Sequence, residues 1–164
     1  VGLEDARLFK WNGKFYMSGV RRDTTENGQG RMELCELNLD FKNNKVTEIS
    51  RYRIPAPGKD DSYCEKNWMP ILDKSFHYIK WTNPTEVVNI NNEQTITVKL
   101  GDYNSDIEGD LRGGSQVIKW HDYYLAVIHE VQLFNSELGR KDGKYFHRFI
   151  LWDDDFNLIK YFFN

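Results

Sequence analysis

Apolar and aromatic residues fall along this chain in short runs separated by turn-forming residues, and no 3.6-residue apolar stripe lasts longer than two helical turns. The pattern predicts strands at 7–11, 14–20, 32–39, 46–53, 69–72, 76–81, 86–90, 95–100, 115–120, 123–131, 145–152 and 158–163. Ile96, Val98 and Leu100 alternate with polar neighbours, as expected of a strand with one wet face. Trp11-Asn12-Gly13-Lys14 is the clearest hairpin signal, because Asn-Gly supplies the two positive φ angles of a type I′ turn. Lys42-Asn43-Asn44-Lys45, Asn91-Asn92, Asp142-Gly143 and Asp153-Asp154-Asp155 predict further turns.

The runs also repeat. Glu4-Asp5-Ala6-Arg7 leads into an apolar run, a turn and Phe15-Tyr16-Met17. Glu65-Lys66-Asn67-Trp68 leads in the same way to Phe76-His77-Tyr78-Ile79, and Arg112-Gly113-Gly114-Ser115 to Tyr123-Tyr124-Leu125. Each unit holds about four strands, the size of a propeller blade. The expected architecture is therefore about three consecutive blades at roughly 1–60, 61–110 and 111–164. A blade's innermost strand lines the central channel, so the polar motifs that start the three inner strands are expected to converge at one mouth of it.

Composition supports the all-β reading. Three Ala stand against 24 Phe, Trp and Tyr, and 44 of 164 residues are Asn, Asp, Gly or Pro, the reverse of what a helical bundle needs. A formal net charge of −3 provides no field to attract nucleic acid or anionic lipid, and no stretch approaches the roughly 20 apolar residues of a membrane span. Cys35 and Cys64 are too few and too far apart for a disulfide framework or a zinc site, and two thiols fit a reducing cytoplasm, although one bridge remains open. No glycosylation acceptor is present, since Pro84 disqualifies Asn83-Pro84-Thr85. The chain starts Val1-Gly2-Leu3 without Met or a secretion signal, as expected of a piece of a longer protein whose cut blade edges invite self-association.

Four constellations carry chemistry. Glu4, Asp5 and Arg7, with Arg21, Arg22 and Asp23 beyond the hairpin, place carboxylates beside guanidinium groups; the set serves acid–base chemistry on glycosides, an anion clamp or an ion network between sheets. Glu65, Lys66, Asn67 and Trp68 combine an acid, a cation, an amide and an aromatic face, as a sugar site requires, while Trp68 suits the core equally well. Arg112 with Gly113 and Gly114 lets backbone N–H groups approach an anion or a sugar oxygen, or makes only a tight turn. His129 and Glu130, with Tyr145 and His147 on a later strand, are candidates for substrate or phosphate contact or for ordinary structural hydrogen bonds. His77, His121, His129 and His147 show no metal-ligand spacing, so no catalytic metal or other cofactor is expected. No nucleophile elbow surrounds Ser115.

Gly2-Leu3-Glu4-Asp5-Ala6-Arg7-Leu8-Phe9 resembles the Glu-Asp-x-Arg segment of the five-bladed β-propellers of glycoside hydrolase family 130, relatives of families 43 and 32. The ordered set that continues with Glu65-Lys66-Asn67-Trp68-Met69-Pro70, Arg112-Gly113-Gly114-Ser115, His129-Glu130 and Tyr145-Phe146-His147-Arg148-Phe149 is similar to propellers of carbohydrate-modifying proteins, some joined to glycosyltransferases. The resemblance implies a five-bladed ring of which this chain supplies about three blades. It implies cleavage of glycosides by hydrolysis or phosphorolysis, with Asp5 as acid and Glu4 or Glu65 as second carboxylate. Arg7, Arg22, Lys66, Asn67, Trp68, Arg112, His129, Glu130, Tyr145 and His147 then hold carbohydrate or inorganic phosphate. Ala6 departs from the proline usual at that place. Two non-catalytic readings stand beside it: a glycan-binding or accessory propeller of a glycosyltransferase, and a protein-interaction propeller whose channel is plugged.

Overall fold

The computed structural model of the chain describes residues 2–23, 28–57, 64–107 and 109–162. Among these residues there is no helix, and the strands form three antiparallel sheets in chain order. The first sheet is a meander of β1 (Glu4–Trp11), β2 (Lys14–Arg21), β3 (Arg31–Asp40) and β4 (Lys45–Arg53). The second repeats the order with β5 (Met69–Pro70), β6 (His77–Trp81), β7 (Glu86–Ile90) and β8 (Thr95–Leu100). The third contains β9 (Leu111–Gly113), β10 (Ile118–Trp120), β11 (Tyr123–Asn135), β12 (Lys141–Trp152) and β13 (Leu158–Phe162). Phe163, the end of the last expected run, lies outside the described residues.

The strand expectations hold to within a few residues except in the third sheet. There the predicted run 115–120 is a strand interrupted by a bulge. β9 and β10 both pair antiparallel with β11, and between them the N–H groups of Gly114 and Ser115 both donate to Val127 O. Asp142-Gly143 is no turn but lies inside β12, opposite Leu133 and Phe134. The hairpin turns earlier, where Gly139 takes a φ of +69° and Ser136 N donates to Arg140 O.

The sheets pack through two apolar layers. Phe9, Trp11, Tyr16, Met32 and Leu34 of the first sheet meet Trp68, Tyr78, Val88 and Ile90. Met69, Ile71, Ile79 and Val87 meet Tyr124, Ala126, Ile128, Ile150 and Trp152 of the third. The second sheet is thus buried on both faces, which is why Tyr78-Ile79 and Val87-Val88 are apolar on consecutive positions that alternation sends to opposite sides. Cross-links join the layers: Trp11 Nε1 donates to Ile71 O at 2.7 Å, and Ile71 forms a parallel bridge with Val117. Both cysteines are free thiols. No helix among the described residues is long and apolar enough to cross a membrane.

The inner strands of the second and third sheets run so close that a Cβ on Gly113 would overlap the Asn67 carbonyl oxygen and come within 2.6 Å of Met69 Cγ. Gly113→Ala is expected to cost about 1–3 kcal/mol by overpacking, whereas Gly2→Ala, whose Cβ meets nothing within 4 Å, leaves stability unchanged. Urea denaturation of the two variants checks this.

Candidate functional site

The first strand of each sheet is irregular at or beside one end, and the three irregularities meet. In β1 the pairing with β2 shifts between Glu4 and Arg7, and Asp5 has a φ of +53°. Ahead of β5, Asn67 has a φ of +63°. In the third sheet the Gly114–Ser115 bulge follows β9. Backbones that depart from the pleat here re-aim side chains that regular alternation would send to the cores. They surround a cleft of about 470 Å³.

Of the residues singled out in the sequence, Asp5, Arg7, Lys66, Asn67, Arg112, His129, Tyr145 and His147 line this cleft. They come from all three sheets and span 142 positions of sequence, from Asp5 to His147. Arg7 forms part of the wall, but its guanidinium is engaged with backbone. It donates to Gly113 O at 2.9 Å, Trp68 O at 3.2 Å and Gly114 O at 3.4 Å. Burial works against this charge, with Asp5 and Tyr78 partly offsetting the penalty.

The other candidates stand elsewhere. Glu4 points away to an exposed ion pair with Arg22 at 3.8 Å, and neither lines the cleft. Trp68 is core, its ring against Tyr78 and its Nε1 donating to Glu65 Oε2 at 3.0 Å. Glu65 is buried beneath it, 3.7 Å from Lys80 Nζ. Glu130 lies on the opposite face of β11 from His129 and holds Arg148 at 2.5 Å, so it does not orient that imidazole. Asp5 is therefore the single carboxylate among the described residues lining the cleft, and its side chain has no hydrogen bond or ion pair there.

Around Asp5 the wall is cationic or imidazole. Arg112 is tied to Asp110, while Lys66 has no carboxylate partner among the described residues. His129 lies beside Tyr145, ring centroids 5.9 Å apart, and opposite His147 in the β11–β12 register. Burial first, then Arg112, His147 and Arg7, hold the His129 imidazole below its ordinary 6.5, so it is neutral at pH 7. The strand runs did not reveal Ala6, Ser115 and Val127 as lining residues. Only the bulge brings Ser115 in, where its Oγ accepts from Val127 N, and a bulge has no period to read. No group of three or more His, Cys, Asp or Glu among the described residues could hold a metal ion.

Two outcomes follow. Arg7→Met is expected to lower stability by about 1–3 kcal/mol for each buried carbonyl left without a donor, measured by urea denaturation. His129 is expected to titrate below 6.5 by NMR. Because its folded value is depressed, its contribution to stability is full above about pH 6.5 and is lost as pH falls through the folded value. Between pH 7.5 and 5 the denaturation midpoint of His129→Gln therefore falls less than that of the parent chain. Compared with known proteins, the chain matches no family model, no curated protein and no solved structure.

Proposed function

We propose that this chain is part of a carbohydrate-active β-propeller, that its three sheets are consecutive blades, and that the cleft at their leading ends is the mouth of the channel and binds glycosides. The observation that carries the reading is the cleft itself: three sheets, each with its motif at the start of the innermost strand, bring one carboxylate, amide and imidazole groups, an exposed tyrosine and a cationic wall into one open cavity. An open cavity favours a small-molecule site over a plugged, protein-binding channel.

The ring reading draws support from a register comparison. Trp120 pairs with Tyr123, and Ile118 with Leu125, across a two-residue turn, as Trp11 pairs with Lys14 and Phe9 with Tyr16. In the first sheet these positions are covered by the second, and Trp11 is 1% exposed. In the third sheet Trp120 is 48% exposed and Ile118 is bare beside it. The face fits a further sheet like the second, as the five-bladed resemblance implies.

The charge pattern fits phosphorolysis better than hydrolysis. Hydrolysis takes two carboxyl groups, roughly 5 Å apart for retention or more than about 6.5 Å for inversion, whereas among the described residues one lines this cleft. In phosphorolysis one acid suffices. The Asp5 carboxyl gives its proton to the leaving glycosidic oxygen while a phosphate oxygen forms the new bond to the anomeric carbon, releasing sugar 1-phosphate. Lys66, Arg112 and the imidazoles would hold the phosphate.

A single lining carboxylate among the described residues equally favours a non-catalytic glycan-binding or accessory propeller. The two readings separate on one experiment, glycan-array binding combined with phosphate-dependent release of sugar 1-phosphate from manno-oligosaccharides. Asp5→Asn keeps the fold, since Asn tolerates the left-handed backbone at that position. It is expected to reduce turnover by about 10²- to 10⁴-fold with binding retained. Undiminished turnover in that variant removes Asp5 as the acid, and binding by the parent chain without turnover selects the non-catalytic reading.

A further inference from the structure

A second cavity of about 310 Å³ adjoins the cleft, and Lys66, Asn67, Arg112 and Gly113 line both. Its own walls include Glu65, buried ahead of β5, and Trp81, the last residue of β6. We propose that this cavity is a subsite for a second sugar ring of a glycan whose first ring occupies the cleft, with Trp81 as the stacking platform and Asn67 as the hydroxyl partner at the junction. The inference rests on the carbohydrate reading above and adds to it that the ligand is an oligosaccharide rather than a single sugar.

Two observations carry it. Trp81 is 42% exposed although it lines a cavity, and the Lys80 ammonium sits 5.6 Å from its ring centroid. An indole with accessible apolar surface in a polar-rimmed hollow suits the C–H face of a pyranose, which presents apolar carbon between hydroxyl groups.

Asn67 is only 8% exposed, lines both cavities, and its carboxamide has no hydrogen-bond partner among the described residues. A buried amide with two donors and an acceptor unused is costly unless a ligand or solvent engages it. Its φ of +63° is one that Asn tolerates, and its carbonyl lies against Gly113. A polar side chain set at the junction of two cavities and left unpaired points to a ligand.

Glu65 closes the inner wall and is spoken for by the protein. It is 2% exposed, with Oε2 accepting from the Trp68 indole and Oε1 3.7 Å from Lys80 Nζ, so the hydroxyl contacts fall to Asn67.

The charges select a neutral glycan over a polyanion. Lys80 lies between Glu65 and Glu86, at 3.7 and 3.1 Å, and Arg112 is tied to Asp110. Lys66 is the one lining cation without a carboxylate partner among the described residues. One unmatched charge attracts a polar or singly charged ligand and gives a nucleic-acid strand little to bind.

The test uses the whole chain against a series of mono-, di-, tri- and tetrasaccharides of the common hexoses, read by affinity and by tryptophan fluorescence. A disaccharide or longer glycan is expected to bind about tenfold more tightly than its own monosaccharide. Trp81→Ala is expected to abolish that gain without weakening monosaccharide binding, and Trp81→Phe to restore most of it. An unchanged near-ultraviolet circular dichroism spectrum, apart from the Trp81 contribution, shows each variant folded. Should Trp81→Ala prove misfolded, Trp81→Phe and Asn67→Asp carry the comparison in its place. Equal affinity for monosaccharide and longer glycans, or a length gain that survives Trp81→Ala, overturns the subsite and leaves the carbohydrate reading standing. Failure of every saccharide to bind overturns both.

Discussion

One guanidinium sits where the three sheets meet. Arg7 extends from the first strand of the first sheet and donates to backbone carbonyls at the leading ends of the other two, Trp68 on one side and Gly113 with Gly114 on the other. Trp68 stands ahead of β5 and Gly114 in the bulge, both outside regular pairing, while Gly113 ends β9 opposite Ile128, and the guanidinium supplies donors to all three carbonyls. A planar cation with five N–H groups can satisfy several such acceptors at once, which a lysine ammonium on a flexible stem does less well. The arrangement sets the distance between sheets at the cleft, because each carbonyl is fixed in its own backbone. Trp11 and Gln116 repeat the device nearby, with side-chain donors reaching across to Ile71 O and Leu8 O.

This tie has a consequence for chemistry. An arginine committed to carbonyls has little left for a ligand, so the cation-rich look of the motif overstates the positive charge available in the cleft. What remains unmatched among the described residues is Lys66, with Arg112 partly spent on Asp110. Asp5, two residues before Arg7, is placed by the same bulge that sends the guanidinium inward, and its own carboxylate is left facing the cavity. One local departure from the pleat thus both joins the sheets and sets out the acid.

The architecture was legible because alternation and turn chemistry are local signals. Hairpins such as Trp11-Asn12-Gly13-Lys14 and the meander order emerged from runs of apolar residues and their separators. The internal repeat located the cleft, since it marked which strand of each sheet comes first: Asp5, Arg7, Lys66, Asn67 and Arg112 of its motifs converge there, joined by His129, Tyr145 and His147 from later strands. Individual side chains were less legible. Glu4, Glu65, Trp68 and Glu130 sit within one to three residues of lining positions and yet face an ion pair, the core or the far side of a strand. Period-two reasoning decides such cases only while the pleat is unbroken, and it is broken at all three leading ends. Asp142-Gly143 failed as a turn for a related reason: a favourable dipeptide was overridden by the long pairing of β11 with β12, which continues through it.

A site built this way distributes its demands unevenly over the chain. Asp5, Asn67 and the Gly114–Ser115 bulge are departures from regular strand backbone that border the cleft, while Phe76, His121 and Phe156 take positive φ away from it. The two apolar layers below, with Trp11, Trp68 and Trp152 fully buried, hold the walls of the cleft in place. Rim side chains that pack into neither layer can be exchanged without disturbing the sheets. By that logic the scaffold constrains where a ligand sits, while its identity depends on a few rim positions: the carboxylate at Asp5, the amide at Asn67, and the imidazole that burial and neighbouring cations hold below its ordinary pKa at His129.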